Sequence, residues 1–275
     1  MTGPLPELGP LFDRLITIAA GETLPRFRMG TAITDKGGAK GLAYDPVTEA
    51  DQEAERMLRI AIEEAYPGHG ILGEEHGEKP GTEDWRWVID PVDGTRAFVC
   101  GVPFWTTLIG LEDDAMPVGG IISQPFLDEH WLRLPGEATL YRQGTNLTPA
   151  RVSGETDLGD ATIMVTDLRV GEYFTEDEAR AVTSLTKACR LCRTGLDSYG
   201  FGLVASGHMD IVVEAALNWH DIAAVLPVIE GAGGVACSWD GAPITQDFVR
   251  GRVILAASQE LADAAVSQLR DVPLP

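Results

Sequence analysis

Apolar residues recur at helical spacing over residues 8–27. Leu11, Leu15, Ile18 and Ala19 share one face there and predict an amphipathic helix. A second stripe, Ala54, Met57, Leu58, Ala61 and Ala65, predicts another. Thr48 and Asp51 stand three apart at its start, the spacing of a capping box, and Tyr66-Pro67-Gly68 ends it. Between the two helices, residues 30–41 read as a loop containing Lys36, Gly37 and Gly38. Ile71-Leu72-Gly73 predicts a short strand, and a polar loop follows it to Glu83-Asp84. The run Trp87-Val88-Ile89 predicts a short buried strand that stops at Pro91 and Gly94. Asp90 would then end this strand, and Asp93 would lie in the turn beyond.

Further on, residues 106–111, 118–123, 129–134 and 138–142 are short strand candidates separated by turn signals. Four in succession predict an antiparallel sheet. Residues 145–159 are rich in Thr, Gly, Pro and Ser, and the pattern changes there. Beyond them, strands (161–165, 189–193, 211–214, 253–256) alternate with helices (176–187, 197–206, 221–230, 259–269). The expected organisation is an α+β domain over residues 1–145 and a layered α/β domain over 146–275. The chain has no internal repeat and no low-complexity segment.

Composition narrows the partners. The 275 residues include 42 acidic and 21 basic side chains, for a net charge of −21. That excess of negative charge argues against nucleic acid and anionic membrane as partners. An acidic chain that binds phosphate needs local positive charge, which bound metal ions would supply. Residues 1–10 have neither a basic segment nor an apolar one, and no stretch reaches membrane-spanning length, so the expected location is the cytoplasm. Cys189 and Cys192 form a C-x-x-C without the second pair that a zinc site needs, and read as structural.

The candidate chemistry centres on Asp90-Pro91-Val92-Asp93-Gly94-Thr95. Two carboxylates on a tight turn can converge on one point, and hard oxygen donors suit Mg²⁺. Val92 can add its backbone carbonyl. Gly94 and Thr95 offer backbone N–H groups and a hydroxyl where a helix begins, a place suited to phosphate. Elsewhere, Asp51 can serve as an acid in a first helical turn, and Asp221 as the cap of its helix. Together, however, Asp51, Glu74, Asp90, Asp93 and Asp221 sit at the edges of apolar elements. Five unpaired carboxylates in such places are costly unless cations compensate them.

These segments resemble a known family. Gly73-Glu74-Glu75, Asp90-Pro91-Val92-Asp93-Gly94-Thr95 and Trp219-His220-Asp221-Ile222-Ala223-Ala224 are similar to the three signature motifs of the inositol monophosphatase family. Val47-Thr48-Glu49-Ala50-Asp51 is similar to its upstream motif. The resemblance runs from about Lys36 to Gly234. It implies an αβαβα sandwich of the sugar-phosphatase type, Mg²⁺-dependent hydrolysis of small phosphomonoesters, lithium sensitivity and usually a homodimer. It implies two or three Mg²⁺ ions per active site. Glu74, Asp90 and the Val92 carbonyl would hold the first, and Asp90, Asp93 and Asp221 the second. Thr95, Asp51 and Glu74 would form the catalytic set, with Thr95 and Asp51 polarising the attacking water. The chain departs from the pattern at His220, which stands between Trp219 and Asp221 where the commonest signature has Trp directly before Asp. His220 reads as a packing or supporting residue.

Within the family, Asp93-Gly94-Thr95-Arg96-Ala97-Phe98 with Gly101-Val102-Pro103-Phe104-Trp105 resembles the histidinol-phosphatase branch, as does Gly195-Leu196-Asp197-Ser198-Tyr199. The expected substrate is L-histidinol phosphate, with inositol monophosphate or another small ester as the alternative. Arg96, Asp197 and Glu214 are the candidate substrate contacts; alternatively, Asp197 caps its helix and Glu214 is solvated. A bisphosphate nucleotidase would want more basic residues. A metal-binding regulator without turnover would not need Thr95 and Asp51.

Overall fold

The computed structural model describes residues 7–30, 33–35 and 46–275. The loop reading of Lys36, Gly37 and Gly38 and that of the first six residues lie outside them.

Helix α1 (Leu8–Thr23) buries Leu11, Phe12, Leu15 and Ile16. It ends four residues short of the expected 27, and turns carry the chain on to residue 30. Strands β1 (Ile33–Asp35) and β2 (Pro46–Thr48) pair antiparallel and lead into helix α2 (Glu49–Ala65). The capping box is present: the Thr48 side chain caps the helix, and the Thr48 N–H donates to Asp51 Oδ2 at 2.9 Å.

A large sheet follows, made of β3 (Gly70–Gly73), β4 (Gly77–Lys79), β5 (Trp85–Asp93), β6 (Thr106–Asp113), β7 (Met116–Gln124), β8 (Glu129–Arg133), β9 (Leu140–Gln143) and β10 (Asn146–Pro149). Its spatial order is β10-β9-β8-β7-β6-β5-β3-β4. The four expected strands are β6 to β9, and they pair antiparallel. Two strands of this sheet were not legible in the pattern, and neither were β2 and β1, the latter inside the stretch read as a loop. The polar loop after Gly73 contains β4, hairpinned onto β3, and the stretch read as a change of pattern contains β10. Helix α3 (Thr95–Val99) follows β5 directly.

The second sheet has the order β12-β11-β13-β15-β14, built from β11 (Thr162–Val165), β12 (Leu191–Thr194), β13 (Ile211–Glu214), β14 (Val235–Cys237) and β15 (Val253–Ala256). Its helices are α4 (Glu176–Ala188), α5 (Asp197–Ala205), α6 (Trp219–Ile222), α7 (Val225–Gly231) and α8 (Gln259–Leu269). The single helix expected over 221–230 is thus two short ones, the first starting at Trp219. Cys189 is the C-cap of α4 rather than part of a strand. Its thiol donates to the Leu185 carbonyl, and all four cysteines are free.

Period-2 alternation sorts the side chains into layers. Trp87, Ile89, Ile109 and Leu111 pack under α1 and α2. Val88, Leu108 and Ile122 point the other way, into a core shared with α5, α6 and α7. The second sheet closes that core with Met164, Val212 and Leu255, while Ile163, Val165, Val213 and Ile254 pack under α4 and α8. The result is an αβαβα sandwich. Each fully buried Leu, Ile or Phe contributes about 1.5–3 kcal/mol, so each of the three cores is a strong constraint on layer order.

Candidate active site

The site begins with an irregularity in β5. Asp90 lies opposite Leu108 of β6, and Asp93 lies opposite Thr106. Three steps on β5 therefore match two on β6, which is a one-residue bulge. In a regular strand, residues three apart face opposite sides of the sheet. The extra residue cancels that inversion, and both carboxylates line one pocket. Pro91, which has no N–H to give the ladder, sits within the bulge. The Thr107 hydroxyl donates to its carbonyl at 2.7 Å, and the Val92 N–H donates to Asp90 Oδ1 at 3.1 Å. The strand thus continues through Pro91, and Asp93 is its last residue rather than part of a turn beyond it.

Glu74 arrives from β3, which runs parallel to β5. Gly73 pairs with Ile89, and the Glu74 N–H donates to the Ile89 carbonyl at 3.2 Å. Glu74 therefore emerges beside Asp90. Glu55 on α2, fully buried, holds the turn beyond it. Its carboxylate accepts from the N–H groups of Glu75 (2.7 Å) and His76 (3.1 Å) and from Arg59 Nε (2.8 Å). A Cβ on residue 73 would lie 2.0 Å from Glu55 Oε1, so any larger residue would have to displace the Glu55 carboxylate.

Asp221 comes from α6. Asn218 is the N-cap, and Asp221 Oδ2 accepts from its N–H at 2.6 Å. Asp221 is therefore three residues inside the helix, not its cap. The small residues after it have a steric reason. A Cβ on Gly120 would fall 2.3 Å from the Ala224 carbonyl oxygen, and one on Gly110 would fall 3.0 Å from the Ala224 nitrogen. The backbone thus lies directly on the large sheet. Trp219 Nε1 donates to buried Glu112 at 2.6 Å, and Glu112 also accepts from Arg86 at 2.5 Å. This anchor fixes the turn that carries His220 and Asp221.

Two donor groups result, and Asp90 belongs to both. In the first, ligand atoms of Glu74, Asp90 and His220 lie within 4.8 Å of one another; in the second, those of Asp90, Asp93 and Asp221 do. Burial first, then the charges of Glu74, Asp93 and Asp221, raise the pKa of Asp90 well above the carboxylate range. Burial, Asp221 and Asp197 do the same for Asp93. Such a cluster is unfavourable as bare anions. Divalent cations would relieve both the desolvation and the repulsion, and the oxygen-rich donor set fits them. The Val92 carbonyl is at hand; it accepts from the Thr95 hydroxyl at 2.9 Å.

The remaining candidates also converge. Asp51 is buried and points Oδ1 at the Thr95 hydroxyl, 3.2 Å away. Burial lifts its pKa to about 6, against the lowering effect of Thr48. Gly94, at φ 82°, packs against Asp197; a Cβ there would meet Asp197 Oδ2 at 3.0 Å. Asp197 follows the Leu196 N-cap of α5 and has a left-handed backbone (φ 47°). Burial raises its pKa to about 6, opposed by Arg96. Glu214 ends β13 and is 1% exposed, not solvated. Its Oε1 accepts from the Thr166 N–H at 2.5 Å, and burial lifts its pKa to about 8. Arg96 Nη2 donates to Glu172 at 2.9 Å, with its guanidinium 5.1 Å from the Tyr173 ring centre.

Sequence reasoning missed Glu55, Glu112, Glu172 and Tyr173. It also missed Ser198, whose N–H donates to Asp93 Oδ2 at 2.8 Å and whose hydroxyl lies 2.5 Å from that of Thr106. None carries a local signal; each works through a contact between distant segments.

Comparisons with known proteins show which family the chain resembles. The bifunctional phosphatase IMPL2, chloroplastic, of Arabidopsis thaliana is 35% identical over 226 residues, 81% of this chain. The match spans 62% of that relative. A histidinol-phosphatase from Chlorobaculum parvum is 34% identical over 78% of this chain and 80% of its own. Among solved structures, an inositol monophosphatase from Zymomonas mobilis superposes with a TM-score of 0.84 at 32% identity, covering 98% of this chain and all of that one. The sequence profile of the inositol monophosphatase family matches residues 13–274. The chain belongs to the inositol monophosphatase family, whose members are phosphoric monoester hydrolases.

Proposed function

We propose that this protein hydrolyses L-histidinol phosphate to L-histidinol and phosphate in histidine biosynthesis. The observation that carries the substrate is the pair Asp197 and Glu214. Both line the pocket, both belong to neither metal donor group, and burial raises the pKa of each. Two carboxylates so placed gain from a cationic neighbour. The leaving group of histidinol phosphate carries an ammonium and an imidazole; that of inositol phosphate is neutral. A charge-assisted hydrogen bond of this kind is worth roughly 1.5–3 kcal/mol.

In this reading Glu74, Asp90 and the Val92 carbonyl would hold one Mg²⁺, and Asp90, Asp93 and Asp221 a second. When bound, such ions supply positive charge for the phosphoryl oxygens and make a water acidic enough to attack near neutral pH. The chain's own residues do the positioning. Thr95 has one hydroxyl proton and two acceptors, Val92 O and Asp51 Oδ1. Its lone pairs are therefore left to accept from the attacking water. Asp51, with a pKa near 6, takes the proton passed through Thr95. Glu74 completes the catalytic set as a ligand beside that water. The backbone N–H groups of Gly94 and Thr95 hold the phosphate, while Arg96, locked by Glu172, faces the substrate.

The reading extends to lithium inhibition, a homodimer and a cytoplasmic location. It also assigns the metal ligands mainly to a domain of residues 1–145 and the substrate contacts to one of 146–275. Inositol monophosphate is the second reading, favoured by the likeness to the Zymomonas mobilis enzyme. The test is kcat/KM on both esters for Asp197→Asn and Glu214→Gln. Histidinol phosphate should lose at least about tenfold more than inositol phosphate, the factor equivalent to ~1.4 kcal/mol. Equal losses would remove these acids from substrate selection.

A further inference from the structure

His220 is the residue at which the chain departs from the usual family signature, and it enters the acidic cluster. Its Nε2 is 4.0 Å from Glu74 Oε1 and 3.3 Å from Asp221 Oδ1. Ligand atoms of His220, Glu74 and Asp90 all lie within 4.8 Å of one another. Donors at about 2.1 Å from one octahedral ion stand about 3.0 Å apart when adjacent and about 4.2 Å apart when opposite, so this spacing is close to that of one shell. The ring is largely buried and sits on a turn fixed by the Trp219–Glu112–Arg86 anchor.

We infer that the His220 imidazole is a nitrogen ligand of the ion held by Glu74 and Asp90, and that this half of the cluster prefers a borderline transition ion such as Zn²⁺ or Co²⁺ over Mg²⁺. The inference rests on the two-ion reading above. The physical reason is the donor set. Imidazole suits Zn²⁺ and its neighbours, whereas carboxylate, carbonyl and water suit Mg²⁺. Asp90, Asp93 and Asp221 offer only oxygen, so the second position stays hard. Sharing Asp90 between unlike neighbours makes the cluster a mixed-metal site.

The other histidines leave the assignment clean. His69 stacks between Tyr66 and Trp85, His76 contacts the Gln52 carbonyl, His130 bonds Ser123, and His208 is exposed. Among the described residues, only His220 joins a metal donor group.

Co²⁺ is the probe. Metal-stripped protein is titrated with Co²⁺ and, separately, with Mg²⁺, by calorimetry. Proton NMR of the Co²⁺ form looks for the exchangeable, strongly shifted N–H signal of a coordinated imidazole. The parent should show that signal, and His220→Gln should lack it. Co²⁺ affinity should fall by about tenfold or more in the variant, with Mg²⁺ affinity nearly unchanged. His220→Asn is the second variant, and melting curves in chelator check that both fold. If neither folds, the signal in the parent alone decides. No such signal in the parent, its persistence in the variants, or equal loss of Co²⁺ and Mg²⁺ binding overturns the inference. Turnover of phosphate esters by the parent with Mg²⁺ is assayed separately. Its failure would remove the proposed activity and leave the ligand assignment standing.

Discussion

Asp51 divides its two carboxylate oxygens between Thr48 and Thr95. Oδ2 caps helix α2, accepting from the N–H and the hydroxyl of Thr48, while Oδ1 receives the Thr95 hydroxyl at 3.2 Å. One residue therefore caps its helix and also meets the Thr95 hydroxyl. The division ties the proposed proton acceptor to a rigid element, so its distance from Thr95 is set by the start of a long helix.

Thr95→Ala should keep substrate binding and slow the chemical step. In the proposed mechanism the hydroxyl orients water, an interaction that matters most in the transition state. A kcat loss on the order of 10²- to 10⁴-fold with little change in KM is expected, and Thr95→Ser should recover much of it. Steady-state kinetics checks this; a change confined to KM would assign Thr95 to binding.

Asp93→Asn should lower activity and, without metal, raise stability. Asp93 is among the groups that raise the pKa of Asp90, and Asp221 and Asp197 act on it in turn. Removing its charge should cost about 10²-fold or more in kcat. In chelator, the same change should raise Tm, because it relieves repulsion. A lower Tm in chelator than the parent's would show that the carboxylate is structurally required.

Gly73→Ala should destabilise the protein by about 1–3 kcal/mol, the usual range for overpacking. The added Cβ meets the Glu55 carboxylate, which carries the turn after Glu74. Denaturant melts measure the stability, and titrations with Mg²⁺ and with Co²⁺ should show weaker binding as Glu74 shifts. Unchanged affinity for both ions would detach Glu74 from the site.

Without metal, stability should fall as pH rises. Asp51 and Asp197 go from an ordinary value of 3.8 to about 6, and Glu214 from 4.5 to about 8. A folded state that holds protons more tightly than the unfolded chain is stabilised fully below the unfolded values. It loses that advantage as pH climbs through the folded ones. Chelated protein should therefore weaken steadily between about pH 4 and pH 8, and saturating Mg²⁺ should reduce or reverse the slope. A flat curve in chelator would mean that these carboxylates are not strained by burial.

The motifs were legible because each is contiguous: Gly73-Glu74, Asp90 to Thr95 and Trp219 to Asp221 carry their chemistry within a few residues. The layer order was expected from the family resemblance rather than from any pattern within Trp87-Val88-Ile89, a continuous apolar run whose alternation between two cores shows only in the fold. The bulge was not legible, because it exists only in the pairing of Asp90 with Leu108 and Asp93 with Thr106. Pro91 reads locally as a stop, and the contact with β6 overrides it. Glu55 and Glu112 look like ordinary helix and strand acids. Their importance comes from what folding brings to them: the turn after Glu74 and the Trp219 indole.

The most direct measurement is kcat/KM of the unmodified protein with Mg²⁺ on L-histidinol phosphate and on inositol 1-phosphate. The acids at the pocket predict a preference for the cationic ester of about tenfold or more, from one charge-assisted contact. Equal turnover, or preference for inositol phosphate, would contradict the substrate assignment and leave a phosphomonoesterase of the same family.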